Sequence, residues 1–254
     1  MTSYNVKDSV AFVTGTNRKN GIGRAIVESL IAHGAKKVYA TARNVSQLDE
    51  LVAVHNGKVV AVALDVTDLD AIQSLGATYP DVTLVVNNAG LLAETSSLGA
   101  IGMIQKEIAI NYIAPLSIVQ SFAPLLNKTE STESSKGSAI VNVNSISSLV
   151  NFPGFATYSA SKAASHSLTQ GQRRELPNCL VIGILPGPID TDMAVNMPHD
   201  KETPSSVAEA IVEALKNGTE DIYPDAMARQ LFDGWKRDAK ALENQMTQSV
   251  TADA

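Results

Sequence analysis

The sequence predicts a single α/β domain, a doubly wound parallel sheet of about six to seven strands with helices on both faces. Three observations predict this class. Short runs rich in Val, Ile, Leu and Ala recur along the chain, helical patterns separate them, and a glycine-rich turn joins the first run to the first helix. Strands that are apolar on both sides are typical of a sheet covered by helices, and right-handed crossovers are expected between them.

In its first third the chain alternates between strand and helix patterns. Residues 10–14 predict the first strand, and the apolar spacing of residues 22–33 predicts a helix that stops before Gly34. Asp68 is a candidate cap for a later helix, and Pro80 lies just beyond its end. The remaining predicted elements here are strands 37–41, 58–64 and 82–86 and helices 45–55 and 68–79.

A longer helix, residues 102–126, opens the next part of the chain, and Pro115 should bend it or leave an irregularity. The polar, low-complexity residues 127–138 predict a mobile surface loop. No repeat or linker interrupts the pattern, so we predict one domain over residues 1–254, frayed after residue 247. The other predicted elements are strands 139–143, 179–185 and 221–223 and helices 158–175, 204–217 and 226–245.

Charge and composition argue against several classes of protein. The formal net charge is -6 and there is no basic run, which argues against nucleic-acid or anionic-membrane partners. Cys179 is the only cysteine and the four histidines are scattered, so no disulfide framework and no metal site is expected. The polar N-terminus lacks a signal-peptide pattern, and the apolar runs are short for a membrane span. We therefore expect a soluble, cytoplasmic protein.

The turn after the first strand has the composition of a phosphate-binding loop. Gly15 closes the strand, and Gly21 and Gly23 open the helix, which lets the backbone and the helix N-terminus approach a pyrophosphate. Arg43 follows Gly23 by 20 residues and ends the second strand. An arginine there would pair with a 2′-phosphate, whereas an acidic residue would bind a ribose hydroxyl. With Arg18 and Lys19 in the loop itself, the charges favour NADP(H) over NAD(H).

Polar residues end the third and fourth strands. Asp65 would accept from an adenine amino group or cap the following turn, and the sequence leaves both roles open. The amides and small residues of Asn87-Asn88-Ala89-Gly90 suit close approach to a flat cofactor, although an ordinary turn has the same composition.

Tyr158 and Lys162 are the candidate chemical pair. Four residues apart on a helix, they share one face about one turn from each other. An ammonium beside a phenol favours the phenolate, so the pKa of Tyr158 should fall below its usual value of about 10. Such a tyrosine would exchange a proton with a carbonyl or alcohol oxygen near neutral pH.

Taken together, these motifs give the chain its family resemblance. The Thr14–Gly23 loop, Asn87-Asn88-Ala89-Gly90, Asn111, Ser145, the Tyr158/Lys162 pair and Pro186-Gly187-Pro188-Ile189-Asp190-Thr191 occur in one order, each at a predicted strand end or in a predicted helix. The sequence resembles the short-chain dehydrogenase/reductase family, and it is most similar to NADPH-dependent carbonyl reductases within it. The resemblance implies a Rossmann-like NAD(P)-binding fold.

Four catalytic roles follow from the resemblance. Tyr158 would donate a proton to the carbonyl, and Lys162 would lower the Tyr158 pKa and hold the nicotinamide ribose. Ser145 would bind the substrate oxygen, since it precedes Tyr158 by the family's spacing, although Ser147 and Ser148 are close by. Asn111 would hold a water in a proton relay that ends at Lys162.

The same resemblance implies a cofactor-binding set. Its members come from the glycine loop, the ends of strands two to four, the catalytic helix and the proline-glycine motif: Gly15, Asn17, Arg18, Gly21, Ile22, Gly23, Arg43, Asp65, Val66, Asn87, Ala89, Gly90, Tyr158, Lys162, Pro186, Gly187, Ile189 and Thr191. The chain departs from the family in two places. Five residues separate Gly15 from Gly21, two more than usual, and the C-terminal end lacks a common glycine-rich segment that helps to build tetramers.

The predicted reaction is reversible reduction of a ketone or aldehyde by NADPH without a metal. The short loop 191–203 and residues 149–155 should wall a small to medium, apolar substrate site, with contributions from Met193, Val195, Met197, Pro198, Phe152 and Phe155. Thr191-Asp192-Met193 supports an alternative, a 3-oxoacyl-[acyl-carrier-protein] reductase. An alternative of another class is a non-catalytic NADPH-binding redox sensor. The resemblance also implies a homodimer or homotetramer built through helices 102–126 and 158–175.

Overall fold

A computed structural model of the protein describes residues 2–93, 96–128, 131–132, 135–195 and 200–251. Across these residues, seven strands form one sheet in the order β3-β2-β1-β4-β5-β6-β7, and every strand pair is parallel. The doubly wound parallel sheet predicted from the sequence is therefore confirmed. The strands are β1 (Val10–Val13), β2 (Lys37–Ala42), β3 (Val59–Ala63), β4 (Leu84–Asn87), β5 (Ser138–Val143), β6 (Cys179–Ile184) and β7 (Asp221–Ile222).

The helices lie on both faces of this sheet. They are α1 (Ile22–Ala32), α2 (Asp49–Val54), α3 (Leu69–Gln73), α4 (Leu75–Thr78), α5 (Ile101–Ile108), α6 (Ala114–Leu126), α7 (Ala156–Glu175), α8 (Pro204–Asn217) and α9 (Ala226–Thr251). Strand order reverses between β1 and β4, so the carboxyl ends of these two strands diverge into helices on opposite faces. Ligands of open parallel sheets bind in the crevice at such a reversal.

Two predicted helices are broken into shorter pieces. Residues 45–48 form a 3₁₀ turn before α2, because the Asn44 side chain accepts from the amide and the hydroxyl of Ser46. The predicted helix 68–79 divides at Ser74, whose hydroxyl donates back to the Ala71 carbonyl. Asp68 caps α3 as expected, since its carboxylate accepts from the amide of Ala71 at 3.0 Å.

The irregularity expected at Pro115 lies one turn earlier. Residues 109–113 form a π-turn between α5 and α6, and Pro115 occupies the first turn of α6. Proline has no N–H to donate to the carbonyl four residues before it, which is that of Asn111. The wider turn takes up this mismatch, and π-turns are frequent at functional sites.

The final helix also differs from the prediction. It extends to Thr251, but the backbone at Asp238 is extended, with φ -162° and ψ 96°, so that two helical segments meet there. The Asp238 carboxylate accepts from the amide of Ala241 at 2.9 Å and thereby caps the second segment.

Each face of the sheet has its own core. Ala11 and Val13 of β1 pack in a cluster with α1 and α8, whereas Val10 and Phe12 pack on the other face with α3, α4 and α6. The alternation follows the period of two along a strand. Phe12 and Phe122, both fully buried, lie with ring centroids 5.2 Å apart at the centre of the second cluster.

The described helices include one, Ile101–Leu126, that is long and apolar enough by length and composition to cross a membrane. The expectation from the sequence concerned uninterrupted apolar runs, whereas this stretch qualifies through its composition over a longer length. In the fold this stretch buries Ile118, Phe122 and Leu126 in the core and holds the buried polar residues Glu107 and Asn111.

Phe122→Ala should lower the free energy of unfolding by about 3–5 kcal/mol, because it removes a fully buried ring and leaves a cavity beside Phe12. Urea unfolding followed by circular dichroism measures this. Leu98→Ala is the control: Leu98 is 94% exposed, so we expect a change within about 0.5 kcal/mol. Equal effects of the two substitutions would contradict the assignment of Phe122 to the core.

Candidate active site

A cavity of about 900 Å³ opens at the carboxyl ends of the central strands. It runs from the glycine turn after β1, past the ends of β2, β3 and β4, to the first turns of α7. Of the residues predicted for the site, it is lined by Gly15, Asn17, Arg18, Gly21, Ile22, Gly23, Arg43, Asp65, Val66, Ala89, Gly90, Ser145, Tyr158, Lys162, Pro186, Gly187, Ile189 and Thr191. Asn87 and Asn111 are not in this lining.

Two positions in the turn after β1 require glycine. Gly15 has a φ of +69°, in the left-handed region, and a Cβ there would lie 2.9 Å from the Ala89 Cα. A Cβ on Gly23 would lie 2.4 Å from Nδ2 of Asn88 and 2.5 Å from the Gly15 carbonyl oxygen. The turn therefore packs directly on the loop after β4, and its backbone lines the cavity.

Thr14 and Asn88 hold these two loops together. The Thr14 hydroxyl accepts from the amides of Asn88 and Ala89, both at 3.0 Å. In return, the Asn88 side-chain amide donates to the carbonyls of Thr14 and Gly15, at 2.8 and 3.0 Å. Asn88, which belongs to the predicted Asn87-Asn88-Ala89-Gly90 motif but not to the predicted cofactor-binding set, thus fixes the shape of the glycine turn.

Two arginines line the end of the cavity next to the glycine turn. Arg18 comes from the loop and Arg43 from the end of β2. Lys19, expected to act with them, forms an ion pair with Glu50 of α2 and does not line the cavity. The five-residue segment between Gly15 and Gly21 closes through a turn in which the Gly21 amide donates to the Arg18 carbonyl at 3.1 Å.

Of the two roles left open by the sequence for Asp65, the structure shows the capping role, and the adenine contact stays a prediction. Its carboxylate accepts from the amide and the hydroxyl of Thr67, at 2.9 and 2.7 Å, so that it caps its own turn. It also lines the cavity. These bonds, the Thr67 amide first, lower the Asp65 pKa, and the nearby charge of Arg43 adds to the effect.

Ser145, Tyr158 and Lys162 meet at the other end of the cavity. Ser145 follows β5, and its hydroxyl lies 2.8 Å from that of Ser147. The Lys162 ammonium donates to the carbonyl of Val143, the last residue of β5, at 2.8 Å. It lies 5.8 Å from the centroid of the Tyr158 ring.

The pKa of Tyr158 is shifted in the direction opposite to the one predicted. Burial raises it to about 12, the charge of Glu107 contributes to the rise, and the Ser145 hydrogen bond opposes it. Burial lowers the pKa of Lys162 to about 8. Desolvation sets the direction of both shifts, and the Lys162 ammonium donates to the Val143 carbonyl. Tyr158 is therefore a protonated phenol at neutral pH, suited to donate a proton.

Asn111 lies behind the cavity wall, in the π-turn. Its side chain accepts from the Leu91 amide and donates to the Leu91 carbonyl, both at 2.8 Å, and it also donates to the Ser161 hydroxyl at 2.9 Å. These bonds fix the loop after β4 against α7. The predicted role in a water relay stays a prediction.

Asn87 is also directed away from the cavity. Its side-chain amide donates to Asn142 of β5 at 2.8 Å, inside the sheet. Asn142 in turn donates to Thr169 and Gln172 of α7. Asn87 thus joins a buried polar network between the sheet and α7.

Asp225 was missed by the sequence analysis. Only 3% exposed, it accepts from the amide of Gly187, in the proline-glycine motif, at 2.7 Å and from the amide of Ala228 at 2.8 Å. A Cβ on Gly187 would lie 2.7 Å from Oδ1 of Asp225, so the contact requires glycine. An acidic residue between Pro224 and a helix is a capping signal, but nothing in the sequence connects it to the cavity.

Apolar side chains line the cavity beside Ser145 and Tyr158. Phe152, Phe155 and Met193 line it as predicted from their segments, and Ile110 and Lys106 of the α5 region are additions. Val195 is 69% exposed and does not line the cavity. Met197 and Pro198 lie outside the described residues.

Comparisons with known proteins identify the family of the chain. The short chain dehydrogenase family profile matches residues 9–202. An uncharacterized oxidoreductase of Staphylococcus saprophyticus is 30% identical over 226 residues, 83% of this chain and 92% of that protein. A 3-oxoacyl-[acyl-carrier-protein] reductase of Synechocystis is 31% identical over 198 residues, 74% of this chain and 77% of the relative.

Solved structures give the same result. A short chain dehydrogenase from Burkholderia cenocepacia, crystallised in complex with NADP, superposes with a TM-score of 0.86 at 35% identity, over 97% of this chain and 99% of that one. A short-chain dehydrogenase from Streptomyces avermitilis gives a TM-score of 0.77 at 25% identity. The chain belongs to the short-chain dehydrogenase family of oxidoreductases.

Gly23→Ala should lower the free energy of unfolding by about 1–3 kcal/mol, because its Cβ would overlap Asn88 and the Gly15 carbonyl. Gly102→Ala is the matched control, since a Cβ on this helical glycine meets nothing within 4 Å. Removing a glycine from a helix should leave stability equal or raise it by up to about 1 kcal/mol. Thermal and urea unfolding of both variants test this, and a neutral Gly23→Ala would contradict the described packing.

Proposed function

We propose that the protein is an NADP(H)-dependent oxidoreductase that interconverts a carbonyl group and an alcohol. One observation carries the proposal: the Ser145, Tyr158 and Lys162 side chains meet in the cavity whose opposite end is formed by a glycine-rich turn and two arginines. Membership of the short-chain dehydrogenase family supports it. So does the similarity to the Burkholderia enzyme in complex with NADP.

The residues present fit a dinucleotide phosphate. Gly15, Gly21 and Gly23 keep the turn free of side chains, so that its backbone lines the cavity, and the helix N-terminus at the start of α1 favours a negatively charged phosphate. Arg43 and Arg18 would hold the 2′-phosphate, since both line the cavity and Lys19 is engaged with Glu50. When bound, NADP(H) supplies or accepts the hydride.

Tyr158 would donate the proton in the reductive direction. Its high pKa keeps the phenol protonated at neutral pH, and Ser145 would give a second hydrogen bond to the carbonyl oxygen as negative charge develops there. The Lys162 ammonium would hold the nicotinamide ribose and stabilise the phenolate left on Tyr158. Asn111 would fix the loop and the helix around them, and its predicted water-relay role belongs to this proposal.

The apolar substrate walls support a small to medium ketone or aldehyde. Phe152, Phe155 and Met193 would contact its hydrocarbon part. A second candidate substrate class is a 3-oxoacyl thioester, favoured by the similarity to the Synechocystis reductase and by Thr191-Asp192-Met193. A non-catalytic NADPH-binding sensor would bind the cofactor but would reduce neither simple carbonyl compounds nor 3-oxoacyl thioesters. A homodimer or homotetramer and a cytoplasmic location remain predictions from the sequence.

Tyr158→Phe should reduce carbonyl turnover by about 10²–10⁴-fold, because the proton donor is lost and the ring is kept. The NADPH dissociation constant, measured by quenching of Trp235 fluorescence, should stay close to the wild-type value. NADPH consumption with a ketone and an aldehyde measures the turnover. A variant that retains nearly full reductase activity would contradict the assigned role.

Arg43→Glu should shift cofactor preference from NADPH toward NADH, because the carboxylate repels a 2′-phosphate and accepts from a ribose hydroxyl. We expect kcat/KM for NADPH to fall by about 10–100-fold, the loss of one charge-assisted contact at a phosphate. Lys19→Glu is the control and should change kcat/KM for NADPH little. A wild-type preference for NADH would overturn the role of Arg43 and leave the catalytic residues untouched.

A further inference from the structure

Glu107 is a fully buried carboxylate that no established catalytic role explains. It lies on α5 with 0% exposure, and no lysine, arginine or histidine in the described part of the chain forms an ion pair with it. Burial of a carboxylate away from a cation is costly, so its hydrogen bonds have to offset the desolvation. The groups that bind the Glu107 carboxylate therefore indicate its role.

Both oxygens of this carboxylate bind groups next to the active site. One accepts from the amide of Ala93 at 2.8 Å, and the other accepts from the hydroxyl of Thr157 at 2.5 Å. Ala93 belongs to the loop after β4, and Thr157 immediately precedes Tyr158 in the first turn of α7. Glu107 therefore links the loop after β4 to the helix turn that carries Tyr158.

The contact repeats, one helical turn later, in Asn111. Glu107 and Asn111 are four residues apart, and their partners on α7, Thr157 and Ser161, are also four residues apart. Each partner comes one residue before a member of the catalytic pair. Two hydrogen bonds, between Glu107 and Thr157 and between Asn111 and Ser161, thus connect α5 and the π-turn after it to α7.

We propose that Glu107 is a positioning residue for the reaction, which holds Tyr158 in place over the cavity by tying the first turn of α7 to the loop after β4. The inference rests on the proposed function, since Tyr158 needs an accurate position only if it transfers a proton. Small displacements of a reacting group reduce rates strongly while leaving binding intact. Glu107 does not line the cavity, so it acts through Thr157 and Ala93.

The charge of Glu107 adds a second effect on Tyr158. The charged groups on the elements around Tyr158 are Lys162 on α7, Lys106 and Glu107 on α5, Asp192 in the turn beside Met193, and Asp225 behind Gly187. Glu107 is the anion that raises the Tyr158 pKa, after burial. Its charge thus favours the protonated phenol that carbonyl reduction uses.

The test compares Thr157→Val with Thr157→Ser. Valine has the shape of threonine without the hydroxyl, whereas serine keeps the hydroxyl. We expect Thr157→Val to lower kcat for carbonyl reduction by about 10–100-fold without weakening NADPH binding, and Thr157→Ser to retain most of the activity. Wild-type kcat in Thr157→Val, or an equal loss in both variants, would overturn the proposal.

Glu107→Gln removes the negative charge of Glu107 but can keep its hydrogen bonds to Ala93 and Thr157. Glutamine accepts from Ala93 and donates to Thr157, so kcat for reduction at neutral pH should stay near the wild-type value. Loss of the anion should lower the Tyr158 pKa, and the rise of alcohol oxidation with pH should then occur at lower pH. A profile identical to that of the wild type would overturn the charge effect, and Glu107→Ala, if folded, should behave like Thr157→Val.

Amide hydrogen exchange over residues 156–161 tests whether Glu107 holds the first turn of α7 in place, and this test needs no activity assay. Exchange should be faster in Thr157→Val than in Thr157→Ser, because only serine keeps the bond to Glu107. If the wild type reduced no carbonyl, the proposed function would fail, and this comparison would still decide whether Glu107 holds the helix. Equal exchange in both variants would mean that it does not.

Discussion

The active-site end of the molecule depends on one buried hydrogen bond, from the Lys162 ammonium to the Val143 carbonyl. Val143 ends β5, and Ser145 follows it by two residues. Lys162 lies one helical turn after Tyr158. This bond therefore joins the strand end that carries Ser145 to the helix that carries Tyr158, together with the bonds from Asn142 of β5 to α7. Its cost is the burial of an ammonium, and this burial lowers the Lys162 pKa to about 8.

The opposite end of the cavity depends on close backbone approach. Thr14 and Asn88 bind each other's backbones where β1 and β4 diverge, and this leaves no room for a side chain on Gly15 or Gly23. The two ends share the loop after β4. It packs on the glycine turn through Asn88, and Asn111 and Glu107 hold it from behind through Leu91 and Ala93. A disturbance of that loop should therefore affect both ends.

The sequence predicted the sheet because its signals are local: apolar runs, capping residues and a glycine turn each report on a few neighbouring residues. It also predicted most of the residues that line the cavity, since parallel strands end at one edge. It could not predict contacts between distant segments. Asp225 binds Gly187 across 38 residues, and Glu107 binds Thr157 across 50. The ion pair between Lys19 and Glu50 is a third contact of this kind that the sequence could not predict.

The sequence also does not show how deeply a side chain is buried in the fold. The spacing of Tyr158 and Lys162 predicts a lowered tyrosine pKa, yet both groups are buried, and desolvation determines the direction of both shifts. The π-turn at residues 109–113 was predicted only as an irregularity near Pro115, because a missing N–H predicts a disturbed hydrogen-bond ladder without giving the type of turn that results. A protonated Tyr158 is nevertheless the form that a reductase needs.

Transfer of deuterium tests the central claim most directly. NADPH that carries deuterium at C4 of the nicotinamide would be incubated with the protein and a panel of ketones, aldehydes and one 3-oxoacyl thioester, with NADH in parallel. We predict deuterium on the carbinol carbon of at least one product, with NADPH preferred and the label lost in Tyr158→Phe. Tight binding of NADPH without label in any product would contradict the account and favour a non-catalytic cofactor-binding protein.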